Sequence, residues 1–137
     1  MRQSAVTFKA KGLNFEGVVA TPDDTGGKIP GVVICHPHPL FGGNMDNNVV
    51  LAVTFALAQN GFATLRFNFR GVGRSQGEFD HGVGELADAA AALDYLQSQM
   101  PNAKSCWVAG FSFGAWIAMQ LLMRRPEVTG FIAAAPP

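Results

Sequence analysis

Ser112 stands in Gly110-Phe111-Ser112-Phe113-Gly114, a G-x-S-x-G, and it is the side chain best set for nucleophilic chemistry. A serine hydroxyl attacks an acyl carbon only when a base takes its proton and fixed donors receive the negative charge that develops on the acyl oxygen. An apolar run precedes the pentapeptide and a helix-period run follows it. That is the setting of a sharp strand-to-helix turn with serine at its tip and helix N–H groups facing it. Glycine two residues either side lets backbones pass where a Cβ would collide, so the strained turn can form. A serine here could instead be only the N-cap of the following helix. An N-cap alone does not need both glycines, so the nucleophile is the reading taken.

The donors for the acyl oxygen come next. One would be the backbone N–H of Phe113, the residue after the nucleophile; the other should come from the loop after the apolar run at residues 31–35. In that loop Pro37 and Pro39 have no N–H. His38, Leu40 or Phe41 remain, with Gly42 and Gly43 keeping the loop tight, and the sequence does not choose among the three. His36 and His38 also form an H-x-H, a spacing used by metal sites, which would need further ligands such as Asp80 and His81. Nothing in the spacing favours that, so no metal and no cofactor is expected. Both imidazoles are read as structural groups bonded to backbone.

These residues need elements to hold them. Val6, Phe8 and Ala10 alternate with polar neighbours, and the alternation resumes after Gly12 through Leu13, Phe15 and Val19, giving two half-buried strands joined by a tight turn. Residues 22–27 are a surface turn cluster. GVVIC at 31–35 suits a strand covered on both faces and ends at the prolines. Val49, Val53 and Leu57, with Ala52 and Ala56, step along a helix stopped by Asn60-Gly61. ATLRFNF at 63–69 alternates like a strand, and residues 70–85, with five glycines, form a long loop at its end. Leu86, Ala90, Leu93, Leu96 and Met100 mark a second helix and Ala115, Ala118, Met119 and Leu122 a third, and GFIAAA at 130–135 is another buried-strand run stopped by Pro136-Pro137. A hairpin followed by strand, helix, strand, helix, strand, helix, strand makes an α/β fold. Its sheet is mostly parallel, with an N-terminal antiparallel hairpin and helices on both faces. Ligands on such sheets bind at the C-terminal ends of strands, where the HPHP loop, the glycine-rich loop and Ser112 all fall.

Composition narrows the partners. The chain has 137 residues, enough for one domain with a core, and ten basic and ten acidic residues leave a net charge of zero. No basic stripe argues for nucleic acid, and no amphipathic basic helix or long apolar run argues for a membrane. A small acyl substrate and a cytoplasmic location are the expectations. Cys35 and Cys106 lie in apolar runs outside any C-x-x-C and are read as buried free thiols.

HPHPLFGGNMDN, then RFNFRGVGRSQGEFDHGVGE, then WVAGFSFGAWIA, in that order and at those intervals, resemble the α/β-hydrolase superfamily. The chain is most similar to its small lidless bacterial esterase-like members, near the dienelactone-hydrolase and serine-peptidase branches. The resemblance covers nearly the whole chain as the N-terminal portion of that fold. It implies Ser112 as nucleophile and an oxyanion hole from Phe113 and the HPHP loop. It also implies that residues 70–75 shape the pocket wall, with Arg70 bracing that loop against Asp80 or Glu85.

One departure from the superfamily is plain. Its triad runs serine, acid, histidine along the chain, yet no histidine follows Ser112, and Glu127, just past a helix end, is the sole carboxylate that does. We therefore expect a hydrolase sheet truncated after the sixth strand, the C-terminal part of a single domain being missing. If instead an unusual base has been recruited, His81 is the substitute. Loss of the triad histidine costs on the order of a million-fold in turnover, so these residues alone should be a poor catalyst. The last strand would be an exposed apolar edge through which copies associate as a homo-oligomer. The expected function is a serine hydrolase cleaving an ester, thioester or amide through an acyl-enzyme; the alternative is a non-catalytic binding or assembly module on the same fold.

Overall fold

The computed structural model describes residues 1–23 and 28–135. Most of the expected turn cluster, at 24–27, and the Pro136-Pro137 stop lie outside the described residues. The chain opens with β1 (Arg2–Ala10) and β2 (Leu13–Thr21), paired antiparallel in register from Arg2 opposite Thr21 to Ala10 opposite Leu13. Lys11 and Gly12 join them with φ of 49° and 81°. Two successive left-handed residues give the primed turn whose twist matches that of the strands it connects.

The rest alternates as expected: β3 (Gly31–Cys35), α1 (Asn48–Gln59), β4 (Ala63–Phe67), α2 (Val83–Gln99), β5 (Cys106–Phe111), α3 (Phe113–Arg124) and β6 (Val128–Ala134). The six strands form one sheet in the order β1-β2-β4-β3-β5-β6. β4, β3, β5 and β6 run parallel, and the hairpin joins antiparallel through β2 on β4. One face of the sheet buries Val33, Leu65 and Val108 against Leu93 and Leu96 of α2 and Ile117 and Leu121 of α3. The other buries Val32, Ile34 and Ala109 under Val50 of α1. A strand covered on both faces can be apolar at every position, and all five residues of β3 are buried.

This order positions the site. From β3 the chain crosses through α1 to β4 on one side, then returns through α2, past β3, to β5 on the other. The direction of winding therefore reverses at β3. The loops leaving β3 and β5 diverge to opposite faces, and a crevice opens between them at the C-terminal ends.

Four expectations need correction. On α1, Ala52 and Ala56 are exposed, and the buried positions are Val50, Thr54 and Ala58, flanked by the half-buried Val53 and Leu57. The face is centred on a threonine, which an apolar count passes over. β4 is not half-buried: all five of its residues are inside, Thr64 and Arg66 included. Arg66 reaches partners from that position, its Nε donating to Met45 O at 3.1 Å and its Nη2 to Asp46 Oδ1 at 3.3 Å. On α2 the core face carries Glu85 and Asp88 beside Ala89, Ala92, Leu93 and Leu96, with Leu86 and Ala90 only half-buried. Both cysteines are free; Cys35 is buried, whereas Cys106 is only half-buried. Among the described residues no helix is long and apolar enough to cross a membrane.

Candidate active site

Ser112 occupies the single residue between β5 and α3 with φ 57° and ψ −118°. A side-chain-bearing residue in this region costs on the order of 1–3 kcal/mol and persists only where its surroundings over-determine it. Here they do. The Ser112 N–H donates to Ala134 O on β6 at 3.0 Å, and its carbonyl accepts from Ala115 and Trp116 at 2.9 and 3.2 Å. Both flanking glycines are required: a Cβ on Gly110 would overlap the Gly114 carbonyl, and one on Gly114 would overlap the carbonyls of Cys35 and His36. The hydroxyl makes no capping hydrogen bond to the helix it precedes. The N-cap role that a serine could have had here is not taken up.

Opposite the elbow, the loop after β3 folds into a short 3-10 turn at Pro39–Phe41. His38 organises it. Its Nδ1 accepts the Leu40 N–H at 3.1 Å, and its carbonyl accepts the N–H groups of Phe41 and Gly43 at 3.1 and 3.0 Å. Leu40 and Phe41 have thus given their N–H groups to the loop itself. Among the described residues the N–H groups of His38 and Phe113 donate to no protein group. Gly43 must be glycine, because a Cβ would strike the Pro37 carbonyl. The far end of the loop is clamped from β4: Asn68 Oδ1 accepts the Met45 N–H at 2.8 Å while Arg66 holds the Met45 carbonyl.

His36 is fully buried, with Nε2 accepting the Phe69 N–H at 3.1 Å and Nδ1 2.6 Å from Pro37 O. These partners fix the tautomer with the proton on Nδ1. Burial pushes its pKa down to about 4, so the ring is neutral at ordinary pH. Both nitrogens are committed to backbone, leaving none for a metal ion, and among the described residues no three His, Cys, Asp or Glu side chains are gathered as a metal site would need.

Ser112 lies on the wall of an open cleft of about 750 Å³, with the rings of His38, Phe79, Phe113 and Trp116 around it and Leu40, Phe41 and His81 at its margin. His81, with φ 54°, is exposed and packs edge-on against Phe79 at 5.1 Å. Residues 71–73 do not shape this wall as expected; they line a separate groove with Asn44 and Asn68. The glycine-rich loop reaches the cleft later, through Phe79 and His81. Its anchor also differs from the expectation. Arg70 donates mainly to Asp88, with Nη2 to Oδ1 at 2.8 Å, Nε to the two oxygens at 3.1 and 3.2 Å, and its backbone N–H to Oδ2 at 2.9 Å. Asp80 stands off at 4.0 Å, and Glu85 instead accepts the N–H groups of Asp80 and Gly82 at 2.8 and 2.7 Å. Burial raises the Asp88 carboxyl against the pull of Arg70, and the same hydrogen bonds hold Arg70 the more firmly protonated. With this fork geometry the pair is ionic at neutral pH.

Glu127, the carboxylate after Ser112, is remote from the cleft. It precedes β6, at the end of the parallel strands opposite the elbow, and accepts from Gln97 at 3.0 Å and Arg125 at 2.9 Å. Those bonds pull its carboxyl down to about 2. The roles of Phe79, Trp116 and Asp88 were not read from the sequence. Asp88 had a signal, a second carboxylate one turn beyond Glu85 on the face that carries Ala89 and Ala92.

The family profile described as Serine aminopeptidase, S33 matches residues 31–137. An uncharacterized protein of Rickettsia prowazekii, RP471, is 60% identical over 108 residues, which are 79% of this chain and 45% of that protein. A protein of unknown function from Agrobacterium tumefaciens, ATU1826, is 55% identical with a TM-score of 0.90, over 97% of this chain and 60% of its own. An α/β serine hydrolase homologue from Coxiella burnetii is 38% identical with a TM-score of 0.91, over 100% of this chain and 64% of its own. XC6422 of Xanthomonas campestris, an α/β serine hydrolase without a lid, is 34% identical with a TM-score of 0.91, over 100% of this chain and 62% of its own. The chain spans less than two thirds of the length of each of these relatives. Sheet order, elbow and sequence agree: the chain belongs to the serine aminopeptidase S33 family, has the α/β-hydrolase fold and corresponds to the N-terminal portion of that fold.

Proposed function

We propose that the protein is a serine hydrolase that cleaves an ester, thioester or amide through an acyl-enzyme on Ser112. The observation that carries this reading is the strained backbone of Ser112, φ 57° and ψ −118°, with its hydroxyl making no capping bond beside two N–H groups that have no partner among the described residues. In the reaction, Ser112 Oγ bonds to the acyl carbon as its proton passes to a base. The carbonyl oxygen takes the electron pair and is held by the N–H groups of His38 and Phe113. Collapse expels the alcohol, thiol or amine, which takes up the proton from the base, and water then repeats the sequence to release the acid. His38 and Phe113 are the donors in this reading and Leu40 is set aside, because its N–H is already given to His38 Nδ1.

The reading assigns the acid and histidine to the part of the relatives' length that these residues do not cover, in the order serine, acid, histidine. If no histidine stands there, His81, on the margin of the same cleft, is the substitute base. The setting is cytoplasmic and the substrate a small acyl compound. A fluorophosphonate probe tests the nucleophile: labelling is expected on Ser112 and lost in Ser112→Ala. Labelling that survives this change would sink the assignment, and no labelling in the parent protein would favour the binding module instead. Retained labelling in His81→Ala excludes the substitute base.

A further inference from the structure

Among the described residues, the cleft beside Ser112 is lined by rings and by no carboxylate, lysine or arginine. The His38 ring lies 4.8 Å from Phe113 and 5.0 Å from Phe79, tilted by 53° and 37°. Trp116 extends the wall edge-on from Phe113 at 5.7 Å and remains 39% exposed. Phe41, 84% exposed, closes the other margin against His38. The acidic group nearest in sequence, Asp80, lies between two wall residues but is not itself among the residues that line the cleft. Glu85, the next, is fully buried with its oxygens on backbone N–H groups. The Trp116 ring packs on Gly82, where a Cβ would meet it at 2.6 Å.

Resting on the serine-hydrolase reading of Ser112, we infer that the cleft takes uncharged substrates bearing an aromatic ring close to the scissile carbonyl, and that it selects against a free α-ammonium group. Tilted rings offer both faces and edges, so a substrate ring finds edge-to-face or offset partners that an alkyl chain does not. An ammonium brought into the same space gives up water and meets no anion among the described lining residues, a desolvation cost they leave without compensation. Cleavage of a free amino-terminal residue, the reaction in the family's name, needs the opposite lining.

Trp116 supplies a binding signal that does not depend on turnover. Two compounds of one skeleton, 3-phenylpropionamide and phenylalaninamide, differ by the α-ammonium. Titrated into the protein and read by tryptophan fluorescence, the neutral amide should quench and bind at least about tenfold more tightly than the cation. The quench should vanish in Trp116→Phe and persist in Trp107→Phe. Phe79→Ala, or Phe79→Leu where the alanine variant fails to fold, should weaken the neutral amide by about three- to tenfold. Equal or tighter binding of phenylalaninamide, or no quench by either compound, overturns the inference. Fluorophosphonate labelling separates it from the underlying reading: labelling of Ser112 without amide selectivity defeats the aromatic specificity alone, and selectivity without labelling defeats the hydrolase reading alone.

Discussion

His36 is the residue at which burial, hydrogen bonding and pH meet. It sits where the β3 backbone turns into the loop that holds His38, and its two ring nitrogens join Phe69 on one side to Pro37 on the other. The ring can do this only while neutral, because protonated Nε2 could not accept the Phe69 N–H. The folded protein resists protonation down to about pH 4, whereas the unfolded chain takes the proton near the ordinary value of 6.5. The unfolded state therefore binds more protons across that window. The contribution is fully present above the upper value, falls as pH drops through the window, and levels off below it. The gap corresponds to roughly 3 kcal/mol. Asp88, raised by burial, acts in the opposite sense on acidification, and Glu127, held low by Gln97 and Arg125, adds its own loss at still lower pH. The difference between the parent and His36→Gln isolates the imidazole. Urea unfolding at neutral pH and near pH 4 should find the parent losing roughly 3 kcal/mol more than the variant. Parallel losses would mean that His36 is not the group responsible.

At the scale of elements, the site depends on how closely α3 approaches β3. The two glycines of the elbow are legible in sequence as a demand for close approach, and the structure gives each its obstacle: Gly114 against the carbonyls of Cys35 and His36, and Gly110 against Gly114. The strand and helix order was equally legible, because apolar alternation and proline or glycine stops follow from burial and backbone sterics alone. The buried face of α2 was not. Its Glu85 and Asp88 are polar, and their burial depends on Arg70 and on loop N–H groups brought near only by the fold. Nor could the sequence choose the loop donor. Leu40 and His38 are distinguished by a bond from Leu40 N–H to an imidazole two residues earlier, which is geometry rather than spacing. The approach of α3 can be tested against a glycine that has a different reason to be one. Gly42 has φ 81° and nothing within 4 Å of where an added methyl group would stand, so Gly42→Ala should cost only about 1–2 kcal/mol for its left-handed backbone. Gly114→Ala meets backbone atoms that cannot rotate away; it should cost about 3 kcal/mol and lift the α3 N-terminus, abolishing probe labelling of Ser112. Thermal unfolding of the two variants checks the order, and a milder Gly114→Ala would mean that the helix docks with slack.

Taken as a 137-residue chain, the molecule has two sheet edges among its described residues that differ in character. β1 carries Arg2, Gln3, Ser4, Thr7 and Lys9 along its length, the kind of charged and polar edge that discourages a second chain from pairing. β6 has no charge and no proline in VTGFIAA. Its one irregularity is the register shift opposite Cys106 and Trp107, where Gly130 makes room for the Trp107 ring. From Gly130 to Ala134 the strand pairs regularly with β5 on one side, and β6 is the edge of the described sheet on the other. Phe131 and Ile132 are only half-buried, packed respectively on the α3 face and the α1 face. Unpaired backbone groups flanked by apolar side chains are a template for another strand. We therefore propose that the 137-residue chain associates with itself through β6, edge to edge, so that the strand on which the Ser112 N–H depends becomes an interior one. Size-exclusion chromatography with light scattering should find a mass that rises to the dimer with concentration. Ala133 is exposed on this strand, and Ala133→Lys should return the mass to the monomer with an unchanged far-ultraviolet spectrum. Lys9→Val, on the opposite edge, should leave the β6-mediated dimer in place. A monomer at every concentration, or a dimer indifferent to Ala133→Lys, would remove β6 as the contact.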